Sequence, residues 1–435
     1  MTAVVGILNK HAIAIAADSA VTIGGNTGSK IFNKANKVFT LSKHHPVGIM
    51  IYNSATFMST PWETIIKIYR NKLGDTHFST LYEYKQDFIE FLKIRNFYTD
   101  VDTQKSYFES FINEIINSLI QDVCNKDEDL IDNIEKRNIT IENTTKFLNF
   151  FESFLDIVNS DWCHISEFCP EFVDYSFEMF SEYSNDVISK IIQYRFIEKE
   201  ILITSSIVEK LKLSIFYVLR AQEEASSYTG LIFTGFGEDE IYPQLIPVNI
   251  SFVLDNRLRY YVDRNRASSI SNYNSGAVCA FAQTDVIDTI LTGIDPTLDN
   301  IYLNNFKALF ERYNKAIIDI IAETNPLLKE QIQNLDLNLV VSEFKELNQQ
   351  IKREHHILPL MNAVSNLAKE DLSEMAESLI YLTYLKRRIT FAEESVGGPV
   401  DVAIISKGDG FVWIKRKHYF RPELNQHFFD NYFKK

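Results

Sequence analysis

Strand patterns at the beginning, middle and end of the chain are separated by two long helical stretches, and this alternation narrows the range of folds. The first strands flank a turn at 9–11: a β-branched run from Thr2 to Leu8 and an alternating run from Ala12 to Ala17 predict a hairpin. Further strands are predicted at 37–41, 47–52, 230–234, 250–254, 258–262, 400–405 and 410–415, with a glycine-rich loop at 23–29. Strand segments therefore bracket all of the helical sequence.

Helical periodicity fills the stretches between these strands. From about 61 to 222, apolar residues recur at i, i+3, i+4 and i+7, as in Phe108, Phe111 and Ile112, and a second helical stretch covers 303–390. The small-residue turn at 274–276 is predicted to open another helix. These patterns predict one α+β sheet domain with helical insertions, rather than two domains in tandem.

Composition argues against several functional classes. The 435-residue chain has a net charge of −14 and a pI near 5.2, which disfavours a nucleic-acid partner because such affinity comes largely from Lys and Arg. Its four cysteines show neither paired metal-ligand spacing nor a disulfide framework. No apolar run is long enough to cross a bilayer, and the apolar start lacks the basic segment of a signal peptide. We therefore expect a cytoplasmic protein without membrane partner, metal or other cofactor, which acts on peptides or proteins.

Residue 2 is a threonine, and its position indicates a specific chemistry. A hydroxyl nucleophile needs a base, and the α-amine of a first residue, with an ordinary pKa of about 7.7 to 8, suits that role at neutral pH. An initiator methionine is usually removed when a small residue follows it, and loss of Met1 would free the amine of Thr2. If Met1 is retained, that nitrogen is an amide and cannot accept a proton.

The opening sequence resembles that of a known family. The segments TAVVGI, AIAIAADSAVT and KVFTL are similar to the start of proteasome β-type subunits and their bacterial relatives, which are N-terminal nucleophile (Ntn) hydrolases. The resemblance implies a four-layer αββα sandwich with Thr2 as the nucleophile. It also implies that Lys37 lowers the pKa of the nucleophile and that Asp18 orients the lysine. A gap-free count would instead select Lys34, but the strand register of KVFTL favours Lys37.

Two later segments extend the resemblance, with departures. NSGAVCAFA at 274–282 is similar to the family's GSG segment and its following helix, and carries an active-site serine over to Ser275. EESVGGPVDVAII is similar to the family's Asp-x-x-Ser-Gly-Gly segment, but Glu393 stands where aspartate is usual and Ser395 is displaced by one residue. The family forms its oxyanion hole with a backbone N–H in a glycine-rich turn after the fourth strand. Here that stretch contains Asn53, which is the predicted donor.

The resemblance also predicts an organisation and an activity. It divides the chain into a hydrolase core at 1–75, 228–300 and 370–420, helical insertions at 76–227 and 301–369, and a C-terminal tail at 421–435. The implied activity is cleavage of peptide bonds by a threonine-type hydrolase. The implied partners are a peptide or protein substrate, further copies of the chain, and an ATPase or another protein that delivers substrate.

Two alternatives stay open at the level of sequence. The departures at Glu393 and in the oxyanion stretch favour a catalytically inactive scaffold of the same fold, in which the helical insertions bind a partner. An Ntn amidase that acts on a small amide would use the same residues as a peptidase. Taken singly, Asp18 is also compatible with a solvated turn, and Lys37 with a charge at a strand edge that discourages aggregation.

Overall fold

The computed structural model describes residues 2–25, 28–32, 34–94, 97, 100–124, 141–197, 201–223, 227–322, 337–390, 396–418, 420–427 and 430. The strands within this part of the chain are β1 Ala3–Asn9, β2 Ile13–Ala17, β3 Val21–Gly25, β4 Gly28–Phe32, β5 Val38–Thr40, β6 Val47–Asn53, β7 Thr56–Phe57, β8 Thr60–Pro61, β9 Thr229–Gly235, β10 Gln244–Leu254, β11 Arg257–Val262, β12 Ser268–Ser269, β13 Gly276–Ala282, β14 Asp401–Ser406 and β15 Gly410–Lys415.

The helices of the same residues are α1 Trp62–Leu73, α2 Leu81–Ile94, α3 Val101–Cys124, α4 Ile141–Trp162, α5 Phe177–Arg195, α6 Ser205–Arg220, α7 Asp285–Thr292, α8 Pro296–Ala322, α9 Leu337–Lys352, α10 Leu358–Val364 and α11 Lys369–Ile389. A π-helical turn at Arg353–Ile357 joins α9 to α10. Among the helices described, none combines the length and the apolar character needed to cross a bilayer. The predicted mixed α+β class is confirmed, with antiparallel pairing between the strands.

The predicted N-terminal hairpin is confirmed, since β1 and β2 pair antiparallel with Val4 opposite Ala17. The other predicted strands are present as well, although β10 begins at Gln244 rather than at 250. The predicted loop at 23–29 is wrong for residues 23–25 and 28–29, which belong to the antiparallel strands β3 and β4, while 26–27 lie outside the described residues. The β-branched residues at 21–23 favour an extended backbone, and Gly25 is opposite Gly28 in the ladder.

A five-stranded antiparallel sheet with the order β13-β1-β2-β14-β15 contains strands from both the beginning and the end of the chain. β1 lies between β2 and β13, with Ala3 opposite Ala282 and Asn9 opposite Gly276. Every residue of β1 and β2 is buried, as expected for strands that are covered on both faces.

One face of this sheet packs against α11. The apolar cluster on that face combines alternate strand residues with residues of α7, α10 and α11, and includes Ala3, Val5, Ile7, Ala12, Ala14, Ala16, Ile287, Val364, Leu372, Ala376, Leu379, Ile380, Val402 and Ile404. Side chains of a strand alternate between faces, so Ala12, Ala14 and Ala16 all point to the same side. Their small size lets the helix approach the sheet closely.

The opposite face of the sheet lies against β6 and the start of β10. A Cβ atom on Gly6 would lie 2.6 Å from Leu245 Cδ1, so a larger residue at this position would displace the end of that leucine side chain. In the same layer, Tyr52 of β6 contacts Phe281 of β13, with ring centroids 5.5 Å apart. β6 also pairs with β5, so these two strands form a second layer against the first sheet.

The chain divides into two compact units. The first contains Met1–Tyr52, Thr234–Leu245 and Ser268–Lys435, and the second contains Asn53–Phe233 and Ile246–Ala267. Helices α1 to α6 thus belong to the second unit, together with the paired strands β10 and β11 from Ile246 onward. Helices α7 to α11 belong to the first.

Helices of the second unit cover strands of that unit. Trp62 in α1 donates from Nε1 to Thr229 Oγ1 at 2.8 Å. Phe88 in α2 packs against Phe233, with ring centroids 5.4 Å apart. Both contacts involve β9, so the first two helices of this unit are attached to the same strand.

The apolar stripe predicted on α3 also faces the interior of the second unit. Phe108, Phe111 and Ile112 are all buried. The ring of Phe111 packs against that of Phe252 in β10, with centroids 5.1 Å apart. The stripe therefore does what the periodicity predicts, which is to place one face of the helix against a sheet.

The predicted helix after the turn at 274–276 is wrong. Gly276 begins the strand β13, and helix α7 begins only at Asp285. β13 pairs with β1 along its whole length. That pairing satisfies the backbone groups of a segment whose small side chains favour neither helix nor strand strongly.

Candidate functional site

A buried ion pair lies at the Thr2 end of the first sheet. Lys37 Nζ is 2.6 Å from Asp18 Oδ1, and the two residues are 3% and 1% exposed. Asp18 follows β2 and Lys37 precedes β5, so two strand ends bring the charges together. Opposite charges that are removed from water need good geometry and further hydrogen bonds to offset the loss of hydration.

Backbone N–H groups surround the Asp18 carboxylate. Oδ1 accepts a hydrogen bond from Ala3 N at 3.0 Å, and Oδ2 accepts from Ala20 N at 3.0 Å and Gly397 N at 3.1 Å. Together with Lys37, these donors hold the carboxylate in one orientation. Because Ala3 directly follows Thr2, the carboxylate also anchors the backbone that carries the threonine.

The Lys37 ammonium donates to Asp18 and, at 2.5 Å, to the carbonyl oxygen of Ala20. An ammonium has three N–H donors, and these contacts account for two of them. Burial lowers the pKa of Lys37, the carboxylate of Asp18 opposes that effect, and the positive charge of Lys417 lowers the pKa further. Lys34, the alternative candidate, is exposed.

Thr2 lies immediately before β1 and is 4% exposed. Its carbonyl oxygen accepts a hydrogen bond from Gln283 N at 3.0 Å. Next to that contact, Ala282 has a φ of 65°, a left-handed conformation that costs an L-residue roughly 1–2 kcal/mol. Strained backbone of this kind concentrates at functional sites. Met1, whose removal the predicted chemistry requires, lies outside the described residues.

Ser275 does not lie at this end of the sheet, and its predicted place in the site is wrong. β13 runs antiparallel to β1, and its first residue, Gly276, is opposite Asn9. Ser275 therefore lies beside the turn that follows β1. The length of β1 separates it from Thr2, which is roughly 20 Å of extended strand.

The residues that follow β13, Gln283 and Thr284, stand at the Thr2 end where the sequence analysis expected Ser275. Gln283 makes the backbone contact to Thr2, and Thr284 directly precedes helix α7. The signal for this boundary was present in the sequence, because a threonine followed by Asp285 and an apolar helical pattern is a typical helix start.

The predicted residues Glu393 and Ser395 lie outside the described residues. The segment that follows them is described, and it contacts the site. Gly397 donates its N–H to Asp18, and its carbonyl oxygen accepts a hydrogen bond from Ser19 N at 3.0 Å. The Gly-Gly part of the family-like segment therefore lies beside the buried carboxylate.

Asn53, the predicted oxyanion donor, is the last residue of β6 and is exposed. It belongs to the second compact unit. Its φ of 68° is left-handed, a conformation that asparagine adopts more readily than most L-residues. Asparagine here has the backbone conformation for which glycine is the usual residue.

A second ion pair lies next to the first. Asp401 is the first residue of β14, is 2% exposed and is opposite Ala17, the residue before Asp18. Its carboxylate accepts a hydrogen bond from the backbone N–H of Lys417 at 2.9 Å and another from the Lys417 ammonium. This pair was not predicted from the sequence. Its signal was an aspartate at the start of the apolar strand DVAIIS, since ionised side chains are rarely buried without a partner.

The site therefore combines a buried threonine with two buried carboxylates and the two lysines that pair with them. Clusters of buried titratable groups are candidates for functional sites. Within the described residues, no group of three or more His, Cys, Asp or Glu side chains is arranged to hold a metal ion. No family model matches the chain, and no curated protein matches it. The interpretation of the site consequently depends on its geometry.

Proposed function

We propose that this protein is a threonine-type Ntn hydrolase that cleaves peptide bonds after removal of Met1. The observation that carries the proposal is the buried ion pair between Lys37 and Asp18, with Nζ and Oδ1 2.6 Å apart, at the backbone of Thr2. A buried ion pair is weak evidence for stability, because desolvation offsets much of its attraction. Its position at a terminal hydroxyl residue favours a chemical role.

In the proposed reaction, the free α-amine of Thr2 takes the proton from Thr2 Oγ as the oxygen attacks the substrate carbonyl. The positive charge of Lys37 lowers the pKa of the nucleophile, and Asp18 orients the lysine. The α-ammonium then gives its proton to the leaving amine, and an ester between Thr2 Oγ and the acyl group remains. Water, activated by the same amine, hydrolyses that ester and restores the free threonine.

The four-layer αββα sandwich belongs to the same proposal. Within the first unit, α11 covers one face of the five-stranded sheet, while β6 lies against the other face. Within the second unit, Phe88 of α2 packs against Phe233 of β9. Each unit thus contains helix-on-sheet packing of the kind that the sandwich requires.

An inactive scaffold of the same fold is the competing candidate. The low exposure of Thr2, 4%, favours it, because a nucleophile must be reached by its substrate. The hydrolase proposal requires that loss of Met1 or a movement of neighbouring residues opens the site. The two candidates therefore differ in whether Met1 is removed and whether Thr2 then reacts.

The intact mass of protein produced without an N-terminal tag tests the proposal, before and after incubation with a peptide epoxyketone. This reagent captures both the hydroxyl and the amine of an N-terminal threonine. We expect loss of Met1 and one adduct, which is absent in Thr2→Ala and retained in Thr2→Ser, whose hydroxyl is kept. A retained Met1 without an adduct would contradict the hydrolase and favour the scaffold.

The substrate class and the assembly follow from separate measurements. Turnover of fluorogenic peptides, compared with that of small amides, distinguishes the peptidase from an Ntn amidase. We also propose, from the family resemblance, a cytoplasmic homo-oligomer to which an ATPase or another protein delivers substrate. Light scattering on the purified protein tests the assembly, since a monomer at all concentrations would contradict it.

A further inference from the structure

The pair formed by Asp401 and Lys417 has no counterpart among the residues that the proposed reaction uses. It comes from a different part of the chain, since Asp401 begins β14 and Lys417 follows β15. Asp401 is opposite Ala17 in the β2–β14 ladder, so its strand position is next to that of Asp18. Two lysine–aspartate pairs therefore occupy neighbouring positions at one end of the sheet.

We propose that Lys417 and Asp401 are positioning residues for the Thr2 site, with Lys417 acting through its charge on Lys37 and Asp401 holding Lys417 in place. The catalytic role of these two residues rests on the proposed hydrolase function. The electrostatic effect on Lys37 itself does not depend on that function, so it can be tested separately.

A purely structural role would leave part of this geometry unexplained. Attachment of the segment after β15 to the sheet needs only the hydrogen bond from the Lys417 backbone N–H to Asp401. The Lys417 ammonium also donates a hydrogen bond to the same carboxylate. Both side chains are largely buried, with 11% of Lys417 and 3% of Asp401 exposed. Because burial of each charge costs hydration energy, the buried pair is weak evidence for a role in stability alone.

A neighbouring lysine, Lys415, forms an ion pair whose lysine side chain is exposed to solvent. Lys415, the last residue of β15, makes its ion pair with Glu377 at 2.6 Å, but its side chain is 56% exposed. An exposed pair of this kind contributes little and is screened by solvent. Lys415 is therefore a matched control for Lys417, with the same charge two residues away but outside the buried cluster.

Within the described residues, the charges that face Lys37 come from three segments. Asp18 approaches from the segment after β2, Lys417 from the segment after β15, and Asp401 from β14 through its contact with Lys417. After removal of Met1, the α-amine of Thr2 would join them. The carboxylate of Asp18 favours the ammonium form of Lys37, whereas burial and the Lys417 charge lower its pKa.

The direction of the expected effect follows from these signs. If the Lys417 charge is removed, the pKa of Lys37 rises, and the ammonium persists to higher pH. In the proposed reaction the charged form of Lys37 supports the nucleophile, so the alkaline limb of the pH profile should move to higher pH.

The experiment compares Lys417→Gln with Lys415→Gln and Lys417→Arg. Glutamine at 417 can still donate a hydrogen bond to Asp401 but carries no charge, and arginine keeps the charge. Two quantities are measured against pH: the rate of epoxyketone adduct formation at Thr2, and the titration of Lys37 by NMR of 13C-labelled lysine. The Lys37 signal is assigned by its absence in Lys37→Arg.

We expect the alkaline limb and the Lys37 titration to move to higher pH in Lys417→Gln. We expect both to stay in place in Lys415→Gln and in Lys417→Arg. If Lys417→Gln does not fold, the double variant Asp401→Asn with Lys417→Gln leaves no unpaired buried charge and should show a smaller shift of the same sign.

The possible failures are distinguishable. If the wild type forms no adduct at any pH, the proposed function fails, and the Lys37 titration alone decides the inference. If the wild type reacts but the Lys37 titration coincides in all variants, the function stands and the inference is overturned. An equal shift in Lys415→Gln would also overturn it, because the effect would then be one of net charge.

Discussion

The two ends of β1 accommodate buried polar groups in different ways. At the end of the strand, the fully buried side chain of Asn9 donates from Nδ2 to Val364 O at 3.0 Å and Leu367 O at 2.9 Å. Its Oδ1 accepts hydrogen bonds from the backbone N–H groups of His11 and Ala12. A single neutral amide thus joins the turn after β1 to the segment after α10, with donors and acceptor all satisfied.

The Thr2 end of the same strand uses ionised groups instead. Two aspartates pair there with two lysines, and all four side chains are largely removed from water, although neutral hydrogen bonds sufficed at the other end. Neutral side chains can fill the space and complete the backbone hydrogen bonds, and burial of a charged group costs more free energy than burial of an amide. Among the described residues of this sheet and its adjoining segments, buried charge therefore lies at the end that carries Thr2.

Removal of the charge at the Thr2 end should give the largest effect. Lys37→Met leaves the Asp18 carboxylate buried without its cation, and we expect the free energy of unfolding to fall by about 3–5 kcal/mol. Adduct formation at Thr2 should be lost as well. Urea unfolding and intact mass measure the two effects. Lys34→Met, which removes an exposed charge, should change stability by less than about 0.5 kcal/mol, and an equal loss there would contradict a special role for the buried lysine.

Removal of the amide at the other end should affect stability alone. Asn9→Ala leaves two buried carbonyl groups without their donors, and we expect a loss of about 1–3 kcal/mol in the free energy of unfolding. The rate of adduct formation at Thr2, measured at a temperature where the variant is folded, should equal that of the wild type. A parallel fall in that rate would show that the two ends are not functionally distinct.

Lys85 provides a buried lysine away from both ends. Its Nζ lies 3.6 Å from the centroid of the Tyr82 ring, and burial lowers its pKa to about 8. Because the pKa in the unfolded chain is near 10.5, the unfolded chain binds more protons between these two values. Burial of Lys85 therefore destabilises the fold most below about pH 8, and this penalty diminishes as the pH rises from there to about 10.5.

Urea unfolding of the wild type and of Lys85→Met between pH 8 and 10.5 measures this contribution. We expect the free energy of unfolding to rise less steeply with pH in Lys85→Met, because the variant lacks the titrating group. Other groups that titrate in this range are shared by both proteins. Identical slopes would show that Lys85 has an ordinary pKa and that burial alone does not perturb a lysine here.

Ser275→Ala should give the smallest effect. Ser275 lies at the Asn9 end, so we expect no change in adduct formation and a change of less than about 0.5 kcal/mol in the free energy of unfolding. Mass spectrometry and urea unfolding provide the measurements. A loss of reactivity would return Ser275 to the site and would contradict the register of β13 against β1.

Much of the local structure was predictable from local pattern. The hairpin of β1 and β2 follows from two apolar runs around a short turn, and α3 follows from its i, i+3 and i+4 stripe. The stretch at 274–282 was misread because GAVCAFA is small and apolar without a clear period. Its strand conformation results from pairing with β1, a contact that is distant in sequence.

The candidate site likewise contains residues that could be predicted from the sequence and residues that only distant contacts bring together. Asp18 and Lys37 could be selected in advance because they lie in N-terminal segments that resemble a known family, next to recognisable strands. Asp401 had a local signal, as an aspartate that begins an apolar strand, but its place beside Asp18 comes from the β2–β14 ladder, which joins positions almost 400 residues apart. Ser275 failed for the same reason, because a one-dimensional resemblance does not specify which end of a strand a residue occupies.

Residue type and local periodicity were enough to predict the mixed α+β character and most strands and helices. The resemblance to a known family selected the threonine at position 2 as a candidate nucleophile. Residue type and periodicity could not show which polar residues are buried together. The pKa of a lysine depends on its surroundings in space: Lys37 pairs with Asp18 from the segment after β2, and the charge of Lys417, after β15, lowers its pKa. Burial and charge proximity are properties of the folded chain, so the electrostatics of the site emerge only when distant segments meet.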